Sequence, residues 1–89
     1  MKFFVYVIGN DISKKIYIGQ TNNLEKRLLE HNEKFGNHYT AKFSGGWTLI
    51  YNEEFETRKE AIIREKQLKS YQGRRYIKKL VNIKNSAPL

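Results

Sequence analysis

Two short apolar runs, set close together near the start of the chain, constrain its folding more than any other feature. Phe3 to Ile8 is a continuous stretch of aromatic and β-branched residues ending at Gly9-Asn10-Asp11, and Lys15 to Gln20 is a second such stretch. Runs of this length with turn formers between them read as a β-hairpin. If the strands pair with index sums near 23, Tyr6 and Tyr17 stand directly opposite on one face, within about 5 Å between Cβ atoms. Trp47, Leu49 and Tyr51 alternate with Thr48 and Ile50, which adds a third strand.

Helices account for most of the rest. Thr21-Asn22-Asn23 offers N-cap residues, with Glu25 three positions after Asn22, ahead of a helix expected to reach about Phe35 and stop near Gly36. A polar loop from Asn37 to Gly46 holds His38, Thr40 and Lys42. Thr57 and Glu60 form a capping box for a helix from Arg58 to about Ser70. Gln72-Gly73 is expected to break the chain before a last helix, with Tyr76, Ile77, Leu80 and Val81 on one face. The order is β-β-α-β-α-α, an α/β chain of the α+β kind: a small three-stranded antiparallel sheet flanked by helices. Residues 1–84 are expected to form one domain, and 85–89, with the only proline, a frayed tail.

Two helical faces carry residues that apolar stripes normally lack. Leu24, Arg27, Leu28 and His31 fall at i, i+3, i+4 and i+7, and Ala61, Ile62, Glu65, Leu68 and Lys69 share a second face. An inward carboxylate needs a partner, since removing one member of a buried pair costs about 3–5 kcal/mol. One reading is a salt bridge at the edge of the core, with Arg27 among the candidate partners of Glu65. The other is a cleft in which Glu65 holds a hard divalent cation and Arg27 a phosphate. Periodicity leaves both standing.

The charge narrows the partner. Residues 1–57 hold seven Lys/Arg and seven Asp/Glu, whereas residues 58–89 hold ten Lys/Arg against Glu60 and Glu65, so the whole net charge of +8 lies in the last third. Such a segment is an electrostatic footprint for a polyanion, and nucleic acid fits it. Arg74, Arg75, Lys78 and Lys79, with Lys42 and Arg64, would line a phosphate track. The absence of cysteine excludes disulfides and thiolate zinc sites. The run FFVYVI is too short to span a bilayer and no cleavage pattern follows it, so a cytoplasmic protein with no membrane partner is expected.

Taken together, these residues resemble the GIY-YIG endonucleases. Tyr17-Ile18-Gly19 is the second signature intact, and Val5-Tyr6-Val7 stands where the family has Gly-Ile-Tyr or a close variant. Gln20-Thr21, then Leu24, Arg27 and His31, match the strand-to-helix segment with its catalytic arginine, and Ala61 to Lys69 (AIIREKQLK) resembles the helix with the metal-binding glutamate, at Glu65. The likeness covers nearly the whole chain and points to small stand-alone bacterial members related to the GIY-YIG nuclease domain of the excinuclease. It implies metal-dependent hydrolysis of DNA phosphodiesters, with a role in repair or recombination and a protein partner or second copy for targeting. It further implies one Mg²⁺ or Mn²⁺ on Glu65, transition-state stabilisation by Arg27, and Tyr6 as general base. Tyr17 would position water or phosphate, His31 would support the network, and Lys15 and Lys69 would lower a tyrosine pKa or touch DNA. The competing expectation is a non-catalytic nucleic-acid-binding module that uses the basic C-terminal helices.

Overall fold

A computed structural model of the protein describes residues 1–33, 40 and 42–85. Strands β1 (Phe3–Asn10), β2 (Ile16–Thr21) and β3 (Trp47–Phe55) form one antiparallel sheet in the order β2-β1-β3. Helix α1 (Leu24–Asn32) follows β2, and α2 (Arg58–Lys69) and α3 (Tyr71–Asn85) follow β3. The expected order and fold class are those observed. The helix end near Phe35 and Gly36, and His38, lie outside the described residues, as do residues 86–89; Asn85 itself is the last residue of α3.

The central strand explains why Val5, Tyr6, Val7 and Ile8 are all buried: β1 has a neighbour on each edge and helices on each face. One face packs Val5, Val7 and Ile18 against Ala61 and Leu68 of α2 and Ile77 of α3. The other packs Tyr6, Ile8 and Trp47 with Tyr17, Leu24 and Leu28. The Arg27–His31 stripe of α1 lies over this second face.

The hairpin register differs from the expected one by two residues. Tyr6 pairs with Gly19 and Ile8 with Tyr17, so the index sum is 25. A sum of 23 would require a two-residue loop at Asp11-Ile12, and such loops need positive φ at their central positions, which a β-branched isoleucine resists. The longer loop places the positive φ at Lys14 (63°) instead. Asn10 Oδ1 accepts from the Ile12 and Ser13 N–H groups at 2.9 and 2.8 Å, closing the turn. A shift of two keeps both tyrosines on the same face but makes them diagonal neighbours.

β3 also departs from a plain alternation. A bulge between its pairings to Val7 and Ile8 leaves Leu49 opposite Ile8 and Tyr51 opposite Val7. Trp47 and Leu49 therefore join the α1 side, while Tyr51 joins the α2–α3 side.

The helix ends correct two further expectations. Asn23, not Asn22, caps α1, its side chain accepting from Lys26 N at 3.1 Å. The Thr57–Glu60 capping box of α2 is present as expected. Gln72 and Gly73 do not break the chain: they lie in the first turn of α3, and the break is at Ser70. Ser70 closes α2 and opens α3, since its Oγ accepts from Gly73 N at 3.2 Å and its carbonyl from Arg74 N at 2.9 Å.

Candidate active site

Tyr6, Tyr17, Arg27 and His31 meet on the α1 face of the sheet. Ring centroids are 6.2 Å apart for Tyr6 and Tyr17, 5.7 Å for Tyr6 and His31, and 4.9 Å for Tyr17 and His31. Gly19 makes this approach possible. A Cβ there would lie 2.6 Å from the Tyr6 hydroxyl oxygen and 3.0 Å from Tyr17 Cε1, so the Tyr6 ring lies across a strand that has no side chain at that point.

A buried chain of hydrogen bonds runs through the cluster. The Tyr6 hydroxyl and His31 Nε2 are 2.8 Å apart, and His31 Nδ1 and Thr40 Oγ1 are 2.9 Å apart. Tyr6 is 1% exposed, and His31 and Thr40 are fully buried. Burial, reinforced by the Arg27 charge, pushes the His31 pKa down to about 4, so the ring is neutral at pH 7. Burial also raises Tyr6 well above the ordinary phenol range, while Arg27 pulls in the opposite direction.

Arg27 is partly buried and pairs with Glu30 at 3.1 Å, one turn along the helix. Burial opposes its charge, but the neighbouring Tyr6 phenol, the hydrogen bond to Glu30 and the Tyr17 phenol more than offset this and raise its pKa. The Arg27–Glu65 bridge considered from sequence does not form. Glu65 instead bonds Lys69 at 2.8 Å, one turn on. Its side chain is 19% exposed, at the rim of the face that buries Ala61 and Leu68, and its charge acts on Tyr6. Arg27 is the cation that pulls the Tyr6 pKa down.

The basic residues divide. Lys15, Lys42, Lys69, Arg74, Arg75, Lys78 and Lys79 are exposed. Arg64, expected on a phosphate track, spends its donors within the protein. Its guanidinium contacts both Glu53 oxygens at 3.0–3.1 Å and donates to Gln67 Oε1 at 3.1 Å. That fork and the Tyr51 hydroxyl outweigh the effect of burial and hold the Glu53 carboxyl below its ordinary range. The β3 bulge is the cause, because it turns Tyr51 and Glu53 toward α2.

Two members of the site escaped sequence reasoning. Thr40, expected in a polar loop, is helical in the structure, and no periodicity in the sequence marks it. Glu30 is legible only once Arg27 has been placed, as its i+3 partner.

Fold and cluster together define a small α+β domain with titratable groups gathered on one face of its sheet. The GIY-YIG catalytic domain model matches residues 2–79, and the chain belongs to the GIY-YIG family. It is similar to a UPF0213 protein of Bacillus velezensis, 41% identical over 78 residues that cover 84% of this chain and 76% of that one. A UPF0213 protein of Staphylococcus saprophyticus is 31% identical over 77 residues, covering 86% of this chain and 92% of that one. The solution NMR structure of a UPF0213 protein from Bacillus halodurans superposes with a TM-score of 0.53 at 26% identity, covering 98% of this chain and 89% of that one. The family domain suggests nuclease activity with DNA as substrate, and nucleases of this family generally use divalent metal ions. Among the described residues no helix is long and apolar enough to cross a membrane.

Proposed function

We propose that this protein is a metal-dependent DNA endonuclease. One observation carries the reading: a donor-only cation, two phenols and a neutral imidazole converge on one sheet face, within the field of the Glu65 carboxylate. A core has no need of that combination. Phosphodiester hydrolysis uses all of it.

The donor set fits a hydrated hard cation. Among the described residues no group of three or more His, Cys, Asp or Glu side chains is gathered to enclose a metal. Mg²⁺ commonly needs only one or two carboxylates, with water and phosphate oxygens completing its shell. Glu65 would hold the ion, Mg²⁺ or Mn²⁺, in exchange for Lys69. Bound there, the ion supplies positive charge against the scissile phosphate and the leaving oxygen. Arg27 stabilises charge on the phosphoryl oxygens, where a fixed planar donor is most useful. Tyr6 takes the proton of the attacking water, Tyr17 positions that water or the phosphate, and His31 accepts the proton that Tyr6 must first give up.

The test is a panel of linear, flapped, branched and single-stranded DNA with Mg²⁺ or Mn²⁺, run beside Glu65→Ala. Branched and flapped substrates, the kinds met in repair and recombination, are the first to examine. Wild type cleaves at least one substrate, and Glu65→Ala binds it without cutting. Equal cutting by both proteins removes Glu65 from the chemistry. Binding without cutting by wild type favours the non-catalytic module.

A further inference from the structure

The groups around the Tyr6 oxygen are not equivalent. A guanidinium can only donate, and the positive charge of Arg27 acts on the Tyr6 oxygen, which favours that oxygen's lone pairs facing Arg27 and the phenol giving its own proton elsewhere. His31 Nε2, at 2.8 Å, is the acceptor within reach. A neutral imidazole whose Nε2 accepts carries its proton on Nδ1, and that nitrogen faces Thr40 Oγ1 at 2.9 Å. Thr40 is held from behind as well. Its carbonyl accepts from Trp47 Nε1 at 3.3 Å. Trp47 is itself fixed by Asn32, which accepts from its N–H at 2.8 Å and donates to its carbonyl at 2.9 Å.

We infer that Thr40 is a positioning residue: by accepting a hydrogen bond from Nδ1–H through its Oγ1 it holds His31 in the Nδ1–H tautomer, leaving Nε2 to receive the proton of the Tyr6 hydroxyl. In the free protein that proton rests on Tyr6, since burial raises the phenol pKa and lowers that of the imidazole. In the transfer step the phenol O–H bond breaks and an N–H bond forms at Nε2. The products are a phenolate beside Arg27 and an imidazolium still donating to Thr40. The catalytic use of this relay rests on the reading of Tyr6 as general base. The tautomer does not.

The experiment has two arms. The first is long-range ¹H–¹⁵N NMR of the histidine side chains in the full-length protein at pH 7, without DNA or metal, with His31 assigned against His38→Gln. Wild type and Thr40→Ser show the proton on Nδ1, and Thr40→Val moves His31 wholly or partly to Nε2–H. A proton on Nε2 in wild type overturns the inference whether or not any variant folds, as does an unchanged Nδ1–H tautomer in folded Thr40→Val. The second arm is single-turnover cleavage of DNA at saturating protein. Thr40→Val slows it by about tenfold or more, as expected when an imidazole loses the group that sets its tautomer, and Thr40→Ser restores it. A shifted tautomer with an unchanged rate overturns the relay. Absence of cleavage in wild type defeats the nuclease reading, while the tautomer result still decides the structural claim.

Discussion

At the scale of single residues, His31 shows how position changes chemistry. On a solvated helix it would titrate near 6.5, but buried beside Arg27 its pKa falls to about 4. A folded-state pKa below the unfolded one means that the unfolded chain binds more protons between the two values. The resulting stability is fully present above about 6.5 and is lost as the pH falls toward 4. Urea unfolding should therefore show wild type losing more stability between pH 7 and pH 5 than His31→Gln, which has no ring to protonate. Equal losses would mean that His31 is not buried neutral. The sequence showed that His31 shares a face with Leu24, Arg27 and Leu28, because helical period alone settles that. Its link to Thr40 is not legible there, since a contact to a residue nine positions on, beyond the end of α1, leaves no periodic trace.

At the scale of elements, the errors of sequence reasoning share one origin: local pattern does not encode close approach. Trp47, Leu49 and Tyr51 alternate faultlessly in sequence, yet the bulge sends the first two to one face and the third to the other. Gly73 reads as a helix breaker, but it lies inside α3 because that helix crosses the end of α2 at very short range. A Cβ there would lie 2.2 Å from the Gln67 carbonyl oxygen and 2.4 Å from Leu68 Cα. These are backbone atoms and cannot step aside. Gly73→Ala should destabilise the fold by about 1–3 kcal/mol despite the better helix propensity of alanine. Chemical denaturation checks this, and an equal or raised stability would contradict the packing described. The capping box at Thr57 and Glu60, by contrast, was fully legible, because all its atoms lie within four consecutive residues.

At the scale of the whole molecule, the two faces of the sheet divide the work. The tyrosine cluster lies under α1, and α3 with its exposed Arg74, Arg75, Lys78 and Lys79 packs on the opposite side through Ile77. α2 packs on the α3 side and carries Glu65, whose charge acts on Tyr6. Charge asymmetry along the chain pointed to the partner but could not reveal that Arg64 is spent on Glu53. With Arg64 withdrawn, about four phosphates remain for α3 to neutralise, and log affinity for duplex DNA should fall with log salt at a slope of about −3 to −4. A nearly flat dependence would remove α3 from the interface.

The proposed chemistry stands or falls on one hydroxyl. Tyr6→Phe keeps the ring, its packing over Gly19 and its place against His31, and removes only the oxygen that bonds His31 and feels the Arg27 charge. The direct measurement is the single-turnover rate of DNA cleavage by wild type and Tyr6→Phe at saturating protein, with binding affinity measured in parallel. A general base at Tyr6 predicts a fall of about 100-fold or more in rate, the size typical of losing such a group, with affinity unchanged. A Tyr6→Phe protein that cleaves at the wild-type rate would contradict it.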